Sequence, residues 1–251
     1  MDITNFLKLK QYKNTCIWTF CNYGYRFYTL NLYLSLQKLS LERYLSIFVT
    51  DFETETFFKS FNIDCFCIDN SCTNSALCQF WTDDFNNISK VKFDIASMLL
   101  DFEMNQLFID GDIVIFNNNI FDYVIDKMKH NIVIQDDRLN SRKPEKHCTG
   151  FFGVNFSFNI LFRKLIDNYK NINQNDQYIY NQNLSILRKS NNIPISIEVL
   201  DRNLFPNGAV IQQKNFIDDS MFLVHFNYFL GNEKKYIMTS MKSWFVDQKF
   251  T

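Results

Sequence analysis

Glycine and proline are scarce in this chain, with six and three in 251 residues, and alanine occurs only three times. A glycine-rich loop that grips phosphates by its backbone N–H groups near the start of the chain is therefore excluded, since Cys21–Tyr25 carries Gly24 alone. Neither sign of charge is in excess. The formal net charge is -1, which speaks against a nucleic-acid partner. No apolar run has the length of a membrane span, and the first residues lack the apolar core of a signal peptide. The cytoplasm is the expected address. Paired cysteine spacing is absent too. Cys16, Cys21, Cys65, Cys67, Cys72, Cys78 and Cys148 include no C-x-x-C pair, so they read as reduced thiols rather than as disulfides or a zinc cluster.

What is abundant is apolar. Hydrophobic residues make up 47% of the chain, including 28 phenylalanines, enough for one sizeable core. Short apolar runs at Thr15–Phe20, Ser46–Thr50 and Asp64–Ile68 predict strands, with helical spacing at Phe27–Leu39 and Thr54–Phe61 between them. That alternation predicts an α/β fold with a mostly parallel central sheet flanked by helices. Further helices are expected at Lys90–Leu100, Asn119–Lys129 and Phe158–Tyr169, the last capped by Ser157. Asn175–Asn181 opens another helix, and a last one runs toward Trp244. Strands are expected at Asn131–Gln135, Cys148–Asn155, Ile195–Leu200 and Met221–Asn227. The charged stretch Asp136–His147 is expected to be a mobile loop.

The stretch from Leu107 to Phe116 stands out. An acid-glycine-acid centre, Asp110-Gly111-Asp112, interrupts an otherwise apolar run that reads as a buried strand. Burying two carboxylates costs several kcal/mol (order of magnitude) unless positive charge meets them. In an extended chain residues two apart share a side, so Asp110 and Asp112 can converge on a divalent cation. Gly111 lets the backbone bend and a ligand come close. The competing reading is a polar turn between two short strands.

In order and separation, four pieces resemble a nucleotide-diphospho-sugar transferase of GT-A fold, in the retaining branch that includes glycogenin and plant nucleotide-sugar transferases. They are Lys92-Phe93, Asp110-Gly111-Asp112, Asp176-Gln177 with Asn181, and His225-Phe226-Asn227 with Gly231, Lys234 and Trp244. The resemblance spans Thr15 to Trp244 and implies one domain over residues 1–251. Its nucleotide part would be about 13–116 and its acceptor and sugar part about 117–251. It implies a metal-dependent glycosyltransferase moving a hexose or pentose from a UDP-sugar to a glycan, protein or lipid acceptor, with retention. Mn²⁺ or Mg²⁺ would stabilise the leaving diphosphate.

The roles that the resemblance implies fall on named residues. Asp112 and His225 bind metal, and Asp110 touches metal, ribose or both. Lys234 reaches the diphosphate and Lys92 helps at phosphate or sugar, with Lys235 a solvated neighbour. Thr19, Asn22, Tyr25 and Asp51 lie toward base and ribose, beside Gly111. Asp176 and Gln177 sit at the reacting sugar, where Asp176 stabilises a cation, orients a hydroxyl, acts as nucleophile, or merely caps a helix. Cys148-Thr149-Gly150 stands where relatives often have Asn-Ser/Thr-Gly. Two rivals share some of these features. They are a degenerate binding protein with this fold, and a nucleotidyltransferase, which would release pyrophosphate rather than UDP.

Overall fold

The computed structural model describes residues 2–68, 82–139, 145–190 and 194–246. Nine strands lie among them: β1 Thr15–Cys21, β2 Leu45–Val49, β3 Cys65–Cys67, β4 Asn105–Ile109, β5 Ile113–Ile115, β6 Ile132–Asp136, β7 His147–Val154, β8 Ile197–Val199 and β9 Leu223–His225. The described helices are α1 Ile3–Leu9, α2 Arg26–Gln37, α3 Phe52–Ser60, α4 Asp83–Asp101, α5 Ile120–Met128, α6 Asn159–Leu165, α7 Asp176–Ser190, α8 Gly208–Lys214 and α9 Gly231–Ser240. No described helix is long and apolar enough to cross a membrane.

Seven strands form one sheet in the order β3-β2-β1-β4-β7-β6-β8. All its pairings are parallel except those of β7, which runs antiparallel to both β4 and β6. Alternate residues of each strand feed two cores. On one face Ile17 and Cys21 meet side chains of α2, α3 and α5. On the other Cys16 and Trp18 meet those of α1, α4, α6 and α7. This two-sided burial is why the central strands read as continuous apolar runs. The expected α/β architecture is the observed one.

The predicted strand through Leu107–Phe116 is two strands in two sheets. β4 stays in the large sheet, and the chain turns at Asp110-Gly111-Asp112. β5 then pairs antiparallel with β9 in a separate two-stranded sheet. Ser35 Oγ on α2 accepts the N–H of Ile115 at 3.2 Å, and Ile211, Met221 and Met238 pack with Val114 and Val224. An added Cβ on Gly111 would stand 2.5 Å from Thr29 Oγ1, so the turn lies against α2 as closely as a bare backbone allows.

Four smaller expectations change. Ser157 is not a helix cap. Asn155 accepts its N–H at 3.0 Å and its hydroxyl at 2.8 Å, opening a 3-10 turn ahead of a shorter helix, α6. α7 is capped by Asn175, which accepts the N–H of Tyr178 at 2.9 Å and leaves the Asp176 carboxylate for other partners. Helices α1 and α8, each seven residues long, were not expected. Of the stretch expected as a loop, Asp136 belongs to β6, His147 belongs to β7, and residues 140–144 lie outside the described residues, as do Cys72 and Cys78.

Candidate functional site

The carboxyl ends of β1, β2, β4 and β6 lie on one edge of the large sheet, and each is followed by polar residues. Backbone pairing assembles the centre of this edge. Ile113 is the register partner of His225, and Phe226 N–H donates to Asp112 O at 3.1 Å. Asp110 N–H donates to Gly150 O at 2.8 Å. The small sheet thus brings His225 beside the acid turn.

Asp110, Asp112 and His225 each offer a ligand atom, all within 4.8 Å of one another. His225 Nε2 stands 3.2 Å from Asp112 Oδ1 and 3.8 Å from Asp110 Oδ2. An added Cβ on Gly150 would fall 2.2 Å from His225 Cε1 and 2.5 Å from Asp110 Oδ2, so glycine keeps the space between them open. Two carboxylates and an imidazole nitrogen converging on a space cleared by glycine fit a divalent cation of the Mn²⁺ kind. Among the described residues no other group of three or more His, Cys, Asp or Glu has metal-holding geometry.

Two buried ammonium groups flank the three ligands. Lys234 Nζ donates to Asp112 Oδ2 and, at 2.8 Å, to Tyr25 Oη. Lys92 Nζ donates to Asp176 Oδ2 at 2.6 Å and to Thr149 O at 3.1 Å, and stands 3.4 Å from Asp110 Oδ1. Burial pushes Asp112 upward, but Lys234 and His225 outweigh it and hold the carboxyl far below its usual range. Burial raises Asp110, Lys92 works against that, and the charge of Asp112 adds to it. Burial also works against the charge of Lys92, yet Asp110 and Asp176 overcome it and hold the ammonium above its ordinary value. The Asp110 side chain is 30% exposed against 6% for Asp112, so Asp110 is the carboxylate on the open side. Lys235 is exposed, with Nζ 5.2 Å from the Trp244 ring centroid, which makes Lys234 the inward lysine of the pair.

Asp176 belongs to this network. Its Oδ2 accepts from Lys92 and, at 2.7 Å, from the Thr149 hydroxyl, while its N–H donates to Ser89 Oγ at 3.2 Å. Gln177 lies in the neighbouring cluster, donating to Asp137 Oδ2 at 2.9 Å; Asp137 Oδ1 accepts from Asn227 at 3.0 Å. Asn181 bonds both the N–H and the C=O of His147, pinning the end of β7.

The residues expected at base and ribose are held by the fold itself. Asn22 accepts the N–H of Tyr25 at 3.2 Å. Asp51 caps α3, accepting from Thr54 N at 2.8 Å and Thr54 Oγ1 at 2.5 Å, and also takes the N–H of Tyr23 at 3.1 Å. Tyr25 is half-buried, its ring 4.9 Å from that of Tyr28. Thr19 is fully buried in mid-strand, its hydroxyl without a hydrogen-bond partner.

Gln135 and Thr149 carry more of the site than their sequence context suggests. A register shift between Ile134 and Gln135 leaves Gln135 opposite Cys148 while Ile134 faces Phe152, so the intervening Thr149-Gly150-Phe151 bulges away from β6. That bulge aims Thr149 at Asp176 and Gly150 at the metal ligands. Gln135 Oε1 meets His225 Nδ1 at 2.8 Å. The one signal for Gln135 in the sequence is a neutral polar side chain near the end of an apolar strand. Cys148 Sγ is 3.6 Å from the same nitrogen, and burial pushes its thiol well up.

The family model for nucleotide-diphospho-sugar transferases matches residues 40–238 of the chain. The UDP-galactose:fucoside alpha-3-galactosyltransferase of Dictyostelium discoideum is 26% identical over 277 aligned positions covering 89% of this chain. The alignment takes in 42% of that relative, well under half of its length. In fold the chain is similar to the galactosyltransferase LgtC, solved with donor and acceptor sugar analogs, at 11% identity and a TM-score of 0.53 over 93% of this chain and 98% of that one. It is likewise similar to mouse xyloside xylosyltransferase 1, at 11% identity and a TM-score of 0.50 over 84% and 97%.

Proposed function

The chain belongs to the nucleotide-diphospho-sugar transferase family and is a glycosyltransferase, and on that premise we propose that it moves a sugar from a UDP-sugar to an acceptor hydroxyl with a divalent metal, Mn²⁺ or Mg²⁺, and with retention. The observation that carries the reading is the convergence of Asp110, Asp112 and His225 between Lys92 and Lys234. Three carboxylates, with Asp176, face two ammonium groups there. A divalent cation reverses that balance and suits the site to a diphosphate. The UDP donor is supported by the Dictyostelium relative, a UDP-galactose transferase.

In this reading Asp112, His225 and Asp110 hold the metal, and Asp110 also borders the ribose. The metal, when bound, supplies Lewis-acid stabilisation of the departing UDP. Lys234 uses two of its three N–H hydrogens on Asp112 and Tyr25 and keeps the third for the diphosphate. Lys92 orients Asp176 and screens negative charge at the sugar. Asn22, Tyr25, Asp51 and Gly111 shape the base and ribose pocket, with Thr19 behind them in the core. Asp176 stabilises positive charge building on the sugar carbon, because Oδ2 is engaged by Lys92 and Thr149; a carboxylate so engaged is a weak nucleophile. Gln177, fixed by Asp137, orients sugar hydroxyls. The nucleotide part is about 13–116 and the sugar and acceptor part about 117–251, with His225 and Lys234 reaching back to the metal and diphosphate.

The test is UDP release from UDP-glucose, UDP-galactose, UDP-xylose and UDP-N-acetylglucosamine, with Mn²⁺ and with chelator, without acceptor. Metal-dependent release from one donor is the expected outcome and identifies the sugar. No release from any donor, with no UDP binding by calorimetry, overturns the reading.

A further inference from the structure

We infer that Gln135 is a positioning residue that sets which nitrogen of His225 faces the metal. The inference rests on the metal-binding reading of Asp110, Asp112 and His225. Gln135 is fully buried at the end of β6, where an amide must satisfy every polar atom it carries. Its Nε2 donates to two carbonyls, Phe205 O at 3.1 Å and Pro206 O at 3.3 Å. With the nitrogen so engaged, the amide oxygen is the atom left for His225. It lies 2.8 Å from Nδ1.

A carbonyl oxygen only accepts, so Nδ1 carries the hydrogen. The Nε2 lone pair is then directed to the space shared with Asp110 and Asp112. The flipped amide would set its oxygen against two carbonyl oxygens, so backbone atoms fix the orientation. Pro206 O also accepts the backbone N–H of His225 at 3.0 Å. One turn therefore holds both the amide and the strand that carries the imidazole, leaving the ring little freedom about its side-chain bonds. Cys148 Sγ, at 3.6 Å from Nδ1, is too weak an acceptor to replace the amide oxygen.

The experiment compares Gln135→Met, of similar shape without an acceptor, and Gln135→Asn, one methylene short, with the unaltered protein and His225→Ala. Mn²⁺ affinity is titrated with UDP present, and UDP affinity is measured in chelator. A long-range ¹H–¹⁵N spectrum of the unaltered protein loaded with Zn²⁺, a diamagnetic probe, reads the imidazole nitrogens directly. Mn²⁺ binding about 10- to 100-fold weaker in both Gln135 variants is expected, from the usual effect of outer-shell partners. UDP affinity in chelator should stay unchanged. The spectrum should show a protonated Nδ1 and a metal-bound Nε2.

Mn²⁺ affinity within twofold of the unaltered protein in the Gln135 variants, with affinity lost in His225→Ala, overturns the role of Gln135 alone. A spectrum with metal on Nδ1 does the same, and needs no variant to fold. Absence of Mn²⁺ binding by the unaltered protein, or undiminished binding by His225→Ala, overturns the metal reading and the Gln135 role with it.

Discussion

Gly150 has no room for a side chain. A methyl group there would press on His225 and on Asp110 at once. Gly150→Ala is expected to weaken Mn²⁺ binding at least tenfold and to cost about 1–3 kcal/mol of stability from overpacking. Calorimetric titration and urea unfolding read the two effects separately. Asp112 calls for a gentler substitution than alanine, because truncation leaves Lys234 buried beside an empty space, an arrangement that costs about 3–5 kcal/mol. Asp112→Asn keeps the shape and a hydrogen-bond acceptor. It should abolish Mn²⁺-dependent UDP binding while the protein still melts cooperatively; unchanged Mn²⁺-dependent UDP affinity would remove Asp112 from the ligand set. Asp110 and Asp112 were legible because carboxylates within an apolar run demand a partner. Gln135 was not singled out, because a neutral amide at a strand end makes no such demand on paper. Its importance comes from two carbonyls 70 and 71 positions away.

At the scale of elements, the parallel strands were readable because burial on both faces leaves apolar runs without alternation. The same property made one strand the first reading and the turn between two short strands only its competitor, since β5 is as apolar as β4 although it pairs in another sheet. The short helix α8 escaped notice because its polar flanks resemble a turn. Asp51, proposed for the base and ribose pocket, also has structural work. It caps α3 and ties the β1–α2 connection to the end of β2 through Tyr23. Asp51→Ala should cost about 1–2 kcal/mol in urea unfolding, the value of a lost N-cap. A loss confined to UDP affinity, with stability intact, would leave Asp51 with the nucleotide alone and remove its cap from the stability of the fold.

For the molecule as a whole, His147 sets a pH dependence. It is buried against Tyr180, and burial lowers its pKa below the ordinary 6.5, with Glu145 partly opposing. The unfolded chain then takes up the proton more readily than the folded one. Stability is full above the ordinary value and declines as pH falls through it. Urea midpoints between pH 7.5 and 5.5 should fall, and His147→Gln should flatten the trend. The two-stranded sheet of β5 and β9 has a consequence for how the chain is finished. Lys234 and its partner Asp112 are 122 positions apart, and His225 reaches the acid turn only once β9 lies on β5. The long loop must close before the pocket exists. A chain lacking residues 223–240 would keep β1, β2, β4 and β6 in sequence yet possess no place for the cation. Any ion that binds there therefore draws the equilibrium toward the fully closed chain and away from partly assembled ones. Occupancy becomes a certificate of complete assembly.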